Sequence, residues 1–402
     1  MENIVVVGTG DVFHRFIAPS LEILEYQRFL KTLATIDIKP RARLEHLSDN
    51  LEHRIRTSDE ELSSLISDFK GDNPVVILAH DSDHHYSDAE DLVSNGFRVM
   101  IEKPYVTRQR DLEKLRGLIS QNPGKIFLME YYLTRKMIPV FLLSGAIKPE
   151  SFYLLGEEVF LLRENRPALV NSLGKLKEIL GEHHSLTIKI IESSGDSGKL
   201  EHRGVHVFDT RRGGGMIQDM GIHALMPLFV FQDYIGETSV SFEHGDVDVA
   251  RSKEFYEACK SRYNISEEFV AETYAEIGMK TSKGIPVKIA IGKYMAEAPT
   301  QKNMVLRGNQ GKIDMNMHEN FMNIYRGNTL VDRIDLINTR RNRYYPVIRT
   351  GLEFFNGNNP FLIDLFQITL NAQQLTLNIL EKARGRQLVT YSNGQPINQI
   401  FN

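Results

Sequence analysis

The sequence predicts a mixed α/β chain: an N-terminal doubly wound parallel sheet, then an α+β domain whose sheet is mostly antiparallel. Three observations predict it. The wholly apolar, β-branched run Ile4–Val7 leads directly into Gly8-Thr9-Gly10, as a strand buried on both faces does when it turns into a helix. Short apolar runs then alternate with helical patterns to about residue 130, the rhythm of βαβ units. Beyond residue 230 short alternating segments follow one another, separated by turn signals such as Ser282-Lys283-Gly284 and Gly308-Asn309, the rhythm of antiparallel strands.

Size and composition agree with this plan. The chain has 402 residues, enough for about two domains at ~150 residues each. Hydrophobic residues make up 42% and charged residues 25%, values of an ordinary globular protein. A net charge of −4 with both signs well mixed argues against a nucleic-acid partner, which calls for a basic face. The cluster Arg340-Arg341-Asn342-Arg343 reads as a solvated loop or an anion contact. No apolar run approaches the ~18 residues of a membrane span, and the N-terminus lacks the basic and apolar regions of a signal peptide. The expectation is a cytoplasmic protein. The single cysteine, Cys259, excludes an internal disulfide and a thiolate-rich zinc site; its helical surroundings make it a packing residue.

Taken in order, Ile4–Val7 is the first strand, and a helical pattern runs from the glycines to about Leu30. Two glycines in this context allow a tight turn and close approach of backbone to a pyrophosphate at a helix N-terminus. The third position of the G-x-G-x-x-G fingerprint is Phe13, so the motif is incomplete. Leu33–Asp37 reads as a second strand, ending in an acid placed to accept hydrogen bonds from an adenosine ribose, which favours NAD; Lys39 and Arg41 just beyond keep NADP open. Residues 44–70 read as connecting helices, 75–79 as a buried strand, and 86–95 as a helix stopped by Gly96. The polar loop His80-Asp81-Ser82-Asp83-His84-His85 lies at the strand end where open α/β sheets bind ligands; it lacks a second group at zinc spacing, and no metal is expected. Residues 97–101 form the next strand, which ends in Glu102-Lys103-Pro104. There Lys103 can aim an ammonium into the crevice, towards a carbonyl or hydroxyl oxygen. Residues 125–129 close the first sheet.

The stretch Gly213-Gly214-Gly215-Met216-Ile217-Gln218-Asp219-Met220-Gly221-Ile222-His223 carries the second cluster. If it is helical, Asp219 and His223 share a face one turn apart, a plausible proton-transfer pair behind a glycine-rich entry. A glycine turn leading into a helix with one satisfied histidine is the plainer alternative.

In this order and spacing the elements Ile4–Gly10, Asp37, His85, Glu102-Lys103-Pro104 and the glycine stretch with Asp219 and His223 resemble the GFO/IDH/MocA family of NAD(P)-dependent oxidoreductases. The resemblance spans residues 1 to about 385. It implies a Rossmann domain over 1–135, a substrate and oligomerisation domain over 136–360, and a C-terminal segment 361–402 whose helix packs back on the first domain. It further implies that Lys103 contacts nicotinamide and substrate, that His223 is the proton acceptor in alcohol oxidation, and that Asp219 is its partner acid. Gly8, Gly10, Asp11, Val12, Phe13, Asp37, His85 and Glu102 then line the coenzyme, NAD in preference to NADP, with no metal. Phe13 stands where a small residue is usual, Asp11 brings a negative charge near the expected pyrophosphate, and Asp81 replaces the family's proline. Arg135 or Lys136 stands in for the family's arginine after the sixth strand.

Residues 139–170 read as an insertion. Lys175–Gly181 reads as a short helix, and Leu186–Glu192 as a strand opening the second sheet. The loop 193–212 can deliver His206, Arg211 or Arg212 to the crevice. Strands are expected at 237–243, 269–280, 285–294, 303–308 and 311–316, and a long helix at 360–384. The resulting expectation is an oxidoreductase that moves hydride between nicotinamide and a hydroxyl or keto carbon of a sugar, polyol or sugar derivative. The resemblance implies a homodimer or homotetramer formed through the C-terminal sheet. Two rivals stand beside this reading: a glycosidic elimination that uses bound NAD transiently, and a non-catalytic dinucleotide- or sugar-binding protein.

Overall fold

A computed structural model describes residues 2–26, 30–37, 52–56, 61–67, 74–130, 175–193, 200, 203–295, 299–319, 321–335, 344–357, 361–392 and 397–401. The expected insertion over 139–170, Lys39, Arg41, Arg135, Lys136 and the arginine cluster at 340–343 lie outside these residues. The chain divides into two compact units. Unit 1 holds residues 1–134, 153–158 and 339–366; unit 2 holds 135–152, 159–338 and 367–402. The last helix, expected as a segment of its own, is thus divided between the two groupings.

Unit 1 is built on six parallel strands: β1 (Glu2–Val7), β2 (Leu30–Asp37), β3 (Glu52–Ile55), β4 (Val75–Leu78), β5 (Arg98–Glu102) and β6 (Ile126–Met129). Their spatial order is β3-β2-β1-β4-β5-β6, with every neighbouring pair parallel. Val5, Val6 and all four residues of β4 are buried, as both faces of such a sheet must be. Helices α1 (Ala18–Tyr26), α2 (Leu62–Leu65), α3 (His85–Ser94) and α4 (Gln109–Gln121) form the connections. The direction of the chain reverses outward from β1 in one direction and β4 in the other, so the crevice for a ligand opens at their C-terminal ends.

Two local expectations in this unit are corrected. Leu30 does not end a helix; it opens β2 opposite Glu2. Residues 44–70 are not all helical connection, because Glu52–Ile55 pairs with β2. That strand, Glu-His-Arg-Ile, has no apolar alternation; its neighbour's backbone hydrogen bonds, not burial, specify it. Residues 339–366 add the helix Tyr345–Phe355 to this unit, while α5 (Leu176–Leu180) lies in unit 2. Gly351 of the Tyr345–Phe355 helix admits Met100 of β5 and Phe127 of β6 at distances a Cβ would not allow.

Unit 2 carries a nine-stranded sheet in the order β14-β13-β12-β11-β7-β10-β9-β8-β15. The strands are β7 (His183–Ser193), β8 (Asp246–Ser252), β9 (Tyr274–Lys280), β10 (Pro286–Met295), β11 (Gln301–Gly308), β12 (Gly311–Asn316), β13 (Phe321–Arg326), β14 (Thr329–Asp335) and β15 (Val389–Tyr391). All pairings are antiparallel except β7 with β10 and β8 with β15. Helices α6 (Met216–Val230), α7 (Gln232–Ile235) and α8 (Lys253–Tyr263) accompany the sheet. Counting on, the Tyr345–Phe355 helix is α9 and Phe361–Arg384 is α10. Ser252 caps α8 by accepting from Phe255 N at 3.2 Å, and Asn264 ends it in the left-handed region at φ 53°, a sequence-coded start and stop.

The strand expected at 237–243 is absent; the ordered strand begins at Asp246. Gly236 at φ 90° and Phe242 at φ 57° place left-handed backbone at both ends of that segment, which interrupts the extended run a strand needs. The segment 269–280 becomes a strand only from Tyr274, after a 3₁₀ turn at Glu267–Phe269. Among the described residues no helix is long and apolar enough to cross a membrane.

Candidate active site

In unit 1 the candidate coenzyme residues meet at the β1/β4 switch point. Gly8 has φ 95°, and a Cβ on it would lie 2.6 Å from His80 N and 2.8 Å from the Ala79 carbonyl carbon. Glycine is required here by the crossing of the two strand ends. Gly10 is different: nothing lies within 4 Å of where its Cβ would be, so the backbone is open for a ligand to approach. Thr9 ties the turn to β2, donating its backbone N–H and its hydroxyl to Asp37 Oδ2 at 2.6 and 2.5 Å. Asp37 thus holds the glycine turn as well as standing where a ribose would be read.

Asp11 and Val12 begin the helix, and a π-helical turn, Phe13–Ile17, precedes α1. The Asp11 carboxylate is 3.2 Å from Arg15 Nη1, so the negative charge noted near the pyrophosphate position has a cation one turn away. Phe13 is fully enclosed. An extra residue per turn at a point where the fingerprint has a small residue is the kind of irregularity found at functional positions.

At the ends of β4 and β5 the polar loop is organised by a residue the sequence reading missed. Asp88 of α3 accepts from Arg56 at 2.8 and 3.0 Å and from His80 Nε2 at 2.7 Å. Burial works against its ionisation, yet the His80 and Arg56 hydrogen bonds bring its pKa down to about 2. His85 is buried, and burial together with the nearby His80 lowers its pKa to about 3. Its Nδ1 donates to the Pro104 carbonyl at 3.0 Å; a carbonyl only accepts, so the neutral ring carries its proton on Nδ1. His85 therefore steadies the Glu102-Lys103-Pro104 segment, whose Lys103–Pro104 peptide is cis.

Lys103 is half-buried and follows a Glu102 that is only 3% exposed. Tyr344, from beyond the second sheet in sequence, donates to Glu102 Oε1 at 2.8 Å. Burial first, with a contribution from Glu130, pushes the Glu102 pKa up to about 8 despite Lys103 and Tyr344. Tyr344 and Glu130 were missed too. Tyr344 is 242 residues from its partner, and no local pattern carries such a contact.

In unit 2 the glycine stretch enters α6. Gly213 is left-handed at φ 74° and ends a 3₁₀ turn, Thr210–Arg212. A Cβ on Gly214 would run into the His206 and Val207 backbone, and one on Gly215 would lie 2.7 Å from Glu272 Oε1. Glu272 accepts from Ile217 N at 2.9 Å, an acid at the positive end of a helix. Beside Gly214 and Gly215, protein backbone and a capping carboxylate take up the space that the missing side chains leave. Arg211 forms a bidentate contact with Asp209 at 2.9 and 2.6 Å and lies over Phe269, so it anchors the loop.

Asp219 and His223 lie on α6, one turn apart on one face as the spacing predicts. His223 is buried. Asp219 Oδ2 is 2.6 Å from Lys293 Nζ, and Lys293 is also 3.8 Å from Glu192. Glu192 takes a second lysine, Lys302, at 2.6 Å. Burial opposes the ionisation of Glu192, and Lys293 and Lys302 outweigh it, lowering its pKa. Each of these three residues continues an alternating apolar series: Ile289-Ile291-Lys293, Ile188-Ile190-Glu192, and Lys302-Met304-Leu306. A charge where alternation calls for an apolar residue was the signal that could have found them.

Residues 2–130 match the model of the oxidoreductase family with an NAD-binding Rossmann fold, GFO/IDH/MocA. No curated protein matches the sequence. The fold is similar to KijD10, a 3-ketoreductase from Actinomadura kijaniata crystallised with TDP-benzene and NADP: 14% identity over 97% of this chain and 99% of that one, TM-score 0.62. It is similar to GenD2 from gentamicin A biosynthesis, crystallised with NAD: 14% identity, 96% and 95% coverage, TM-score 0.61. It is also similar to the biliverdin reductase of Synechocystis sp. PCC 6803, crystallised with biliverdin and NADP+: 14% identity, 95% and 97% coverage, TM-score 0.60. Over residues 2–130, where strand order, glycine turn and strand-end lysine stand together, the chain is similar to the GFO/IDH/MocA family of oxidoreductases with an NAD-binding Rossmann fold.

Proposed function

We propose that the protein is an NAD(P)-dependent oxidoreductase acting on the hydroxyl or keto carbon of a sugar, polyol or sugar derivative, with NAD preferred. The observation that carries the reading is the open Gly10 turn beside Asp37 at the switch point, with Lys103 ending the strand next to β4. The turn from Gly8 to Phe13 would hold the pyrophosphate, and Asp37 the ribose hydroxyls. A carboxylate there repels a 2′-phosphate, which favours NAD. When bound, the nicotinamide supplies the hydride acceptor or donor.

The chain's residues supply the rest. In oxidation, His223 accepts the hydroxyl proton. Lys103 donates a hydrogen bond to the same oxygen as negative charge develops on it. Asp219 orients the imidazole or contacts a substrate hydroxyl. In reduction, His223 returns the proton to the alkoxide. Support for a keto carbon comes from KijD10, a 3-ketoreductase; the sugar or polyol class is what the family resemblance implies. The proposal includes a homodimer or homotetramer through the nine-stranded sheet, for which light scattering of a monomer would be decisive contrary evidence.

The test is turnover of NAD+ with a panel of sugars and polyols, and of NADH with the matching ketones and with biliverdin. Lys103→Met and His223→Asn should each lower kcat by at least ~100-fold, the usual contribution of such groups, while NADH binding by His223→Asn stays near wild type. Wild-type turnover by both variants would sink the assignment, and turnover of biliverdin alone would replace the substrate class.

A further inference from the structure

A row of charge crosses the inner face of the unit 2 sheet. On three adjacent strands, β10, β7 and β11, the inward apolar series ends in Lys293, Glu192 and Lys302. Lys293 and Glu192 have side chains only 5% and 14% exposed. Asp219 of α6 completes the row at 2.6 Å from Lys293. Buried ion pairs add little net stability, because desolvation of both charges offsets their attraction. Apolar residues in these positions would pack the strands against α6 more simply.

The backbone is also shaped to deliver the lysine. β10 breaks its register between Gly292 and Met295, and Tyr294 sits at φ 58°, a conformation unusual for a bulky residue. Tyr294 is fixed there by Phe208 and Phe255, with ring centroids 5.7 and 5.2 Å away. Bulges and sparsely populated backbone of this kind re-aim side chains near functional positions.

We propose that Lys293 is a positioning residue for proton transfer at His223, acting through Asp219, whose carboxylate it holds and neutralises one helical turn before the histidine. Its catalytic meaning rests on the reading of His223 as proton acceptor. Without the ammonium, Asp219 would present an uncompensated negative charge to the imidazole. His223 would then bind its proton more tightly and accept one from substrate less readily. Groups facing Asp219 include Lys293 and Tyr294 from β10 and Glu192 from β7, with Lys302 beyond Glu192 and Arg203 beside Tyr294.

The coupling is measurable without substrate, by following the protonation of His223 through its imidazole ¹⁵N resonances, identified by their loss in His223→Asn. Lys293→Met should move the protonation midpoint up by about one pH unit, the lower end of the effect of a charge at this range. Asp219→Asn should move it down. Lys293→Met added to Asp219→Asn should change it no further, the signature of action through the acid. Lys293→Gln, which keeps a hydrogen-bond donor for Asp219 and loses the charge, carries the test if Lys293→Met does not fold. An unchanged midpoint in the folded lysine variant, or a shift that persists in the Asp219→Asn background, overturns the proposal. Failure of the functional reading looks different: His223→Asn would keep full turnover while the coupling remained.

Discussion

Gly8 and Gly10 belong to one sequence motif but do different work, and substituting each by alanine separates the two roles. At Gly8, alanine must adopt φ 95°, and its methyl would lie 2.6–2.8 Å from backbone atoms of Ala79 and His80. Neither side can yield easily, because Gly8 N is bonded to Ile36 O at 2.8 Å and Ala79 N to Val7 O at 2.8 Å. Sparsely populated backbone costs a non-glycine residue about 1–3 kcal/mol, and overpacking about 1–3 kcal/mol more. At roughly 2–4 °C per kcal/mol for a domain of this size, the sum of about 2–6 kcal/mol means that Gly8→Ala should melt about 4–24 °C below wild type. Gly10 has no positive φ and no neighbour within 4 Å of a Cβ. Gly10→Ala should therefore change stability by no more than about 0.5 kcal/mol, as surface substitutions do. Its methyl instead meets an approaching pyrophosphate, so NADH affinity should fall about tenfold or more, some 1.4 kcal/mol. The assays are thermal melting by circular dichroism and NADH fluorescence titration. A Gly8→Ala protein with the wild-type melting temperature, or a Gly10→Ala protein with wild-type NADH affinity, refutes the reasoning.

Further outcomes follow from the same structure. Asp37→Asn removes the charge that holds Thr9 and repels a 2′-phosphate, so the NADH-to-NADPH affinity ratio should drop about tenfold; competitive titration with both coenzymes would show an unchanged ratio if Asp37 plays no part. Glu102 has a folded pKa of about 8 against an ordinary 4.5. The stabilisation from its protonated form is therefore complete below pH 4.5 and lost as pH rises through 8. Glu102→Gln stays neutral throughout, so its melting temperature minus that of the wild type should grow over that window, and a constant difference would count against the burial argument. Ser252→Ala removes the cap of α8 and should cost about 1 kcal/mol, read as a lower denaturation midpoint with an unchanged slope.

Much of unit 1 was legible because parallel strands buried on both faces must be apolar throughout, as in Ile4–Val7 and Val75–Leu78, and because glycines and strand-end polar residues punctuate them. The shared face of Asp219 and His223 was legible from their four-residue spacing on the condition that the stretch is helical, and the structure supplies the helix. Sequence by itself thus determined the buried strands of the first sheet, the glycine turn after the first of them, and the spacing of the α6 pair. Edge strand β3 was illegible because backbone pairing, not side-chain burial, specifies it. Tertiary structure decided what each group touches. It assigned Gly214 and Gly215 to backbone packing and a Glu272 cap, placed Asp88 between Arg56 and His80, brought Tyr344 to Glu102, and set Lys293 against Asp219. These contacts join residues far apart in the chain, and a local pattern records a residue's own periodicity, not the identity of the partner that folding brings to it.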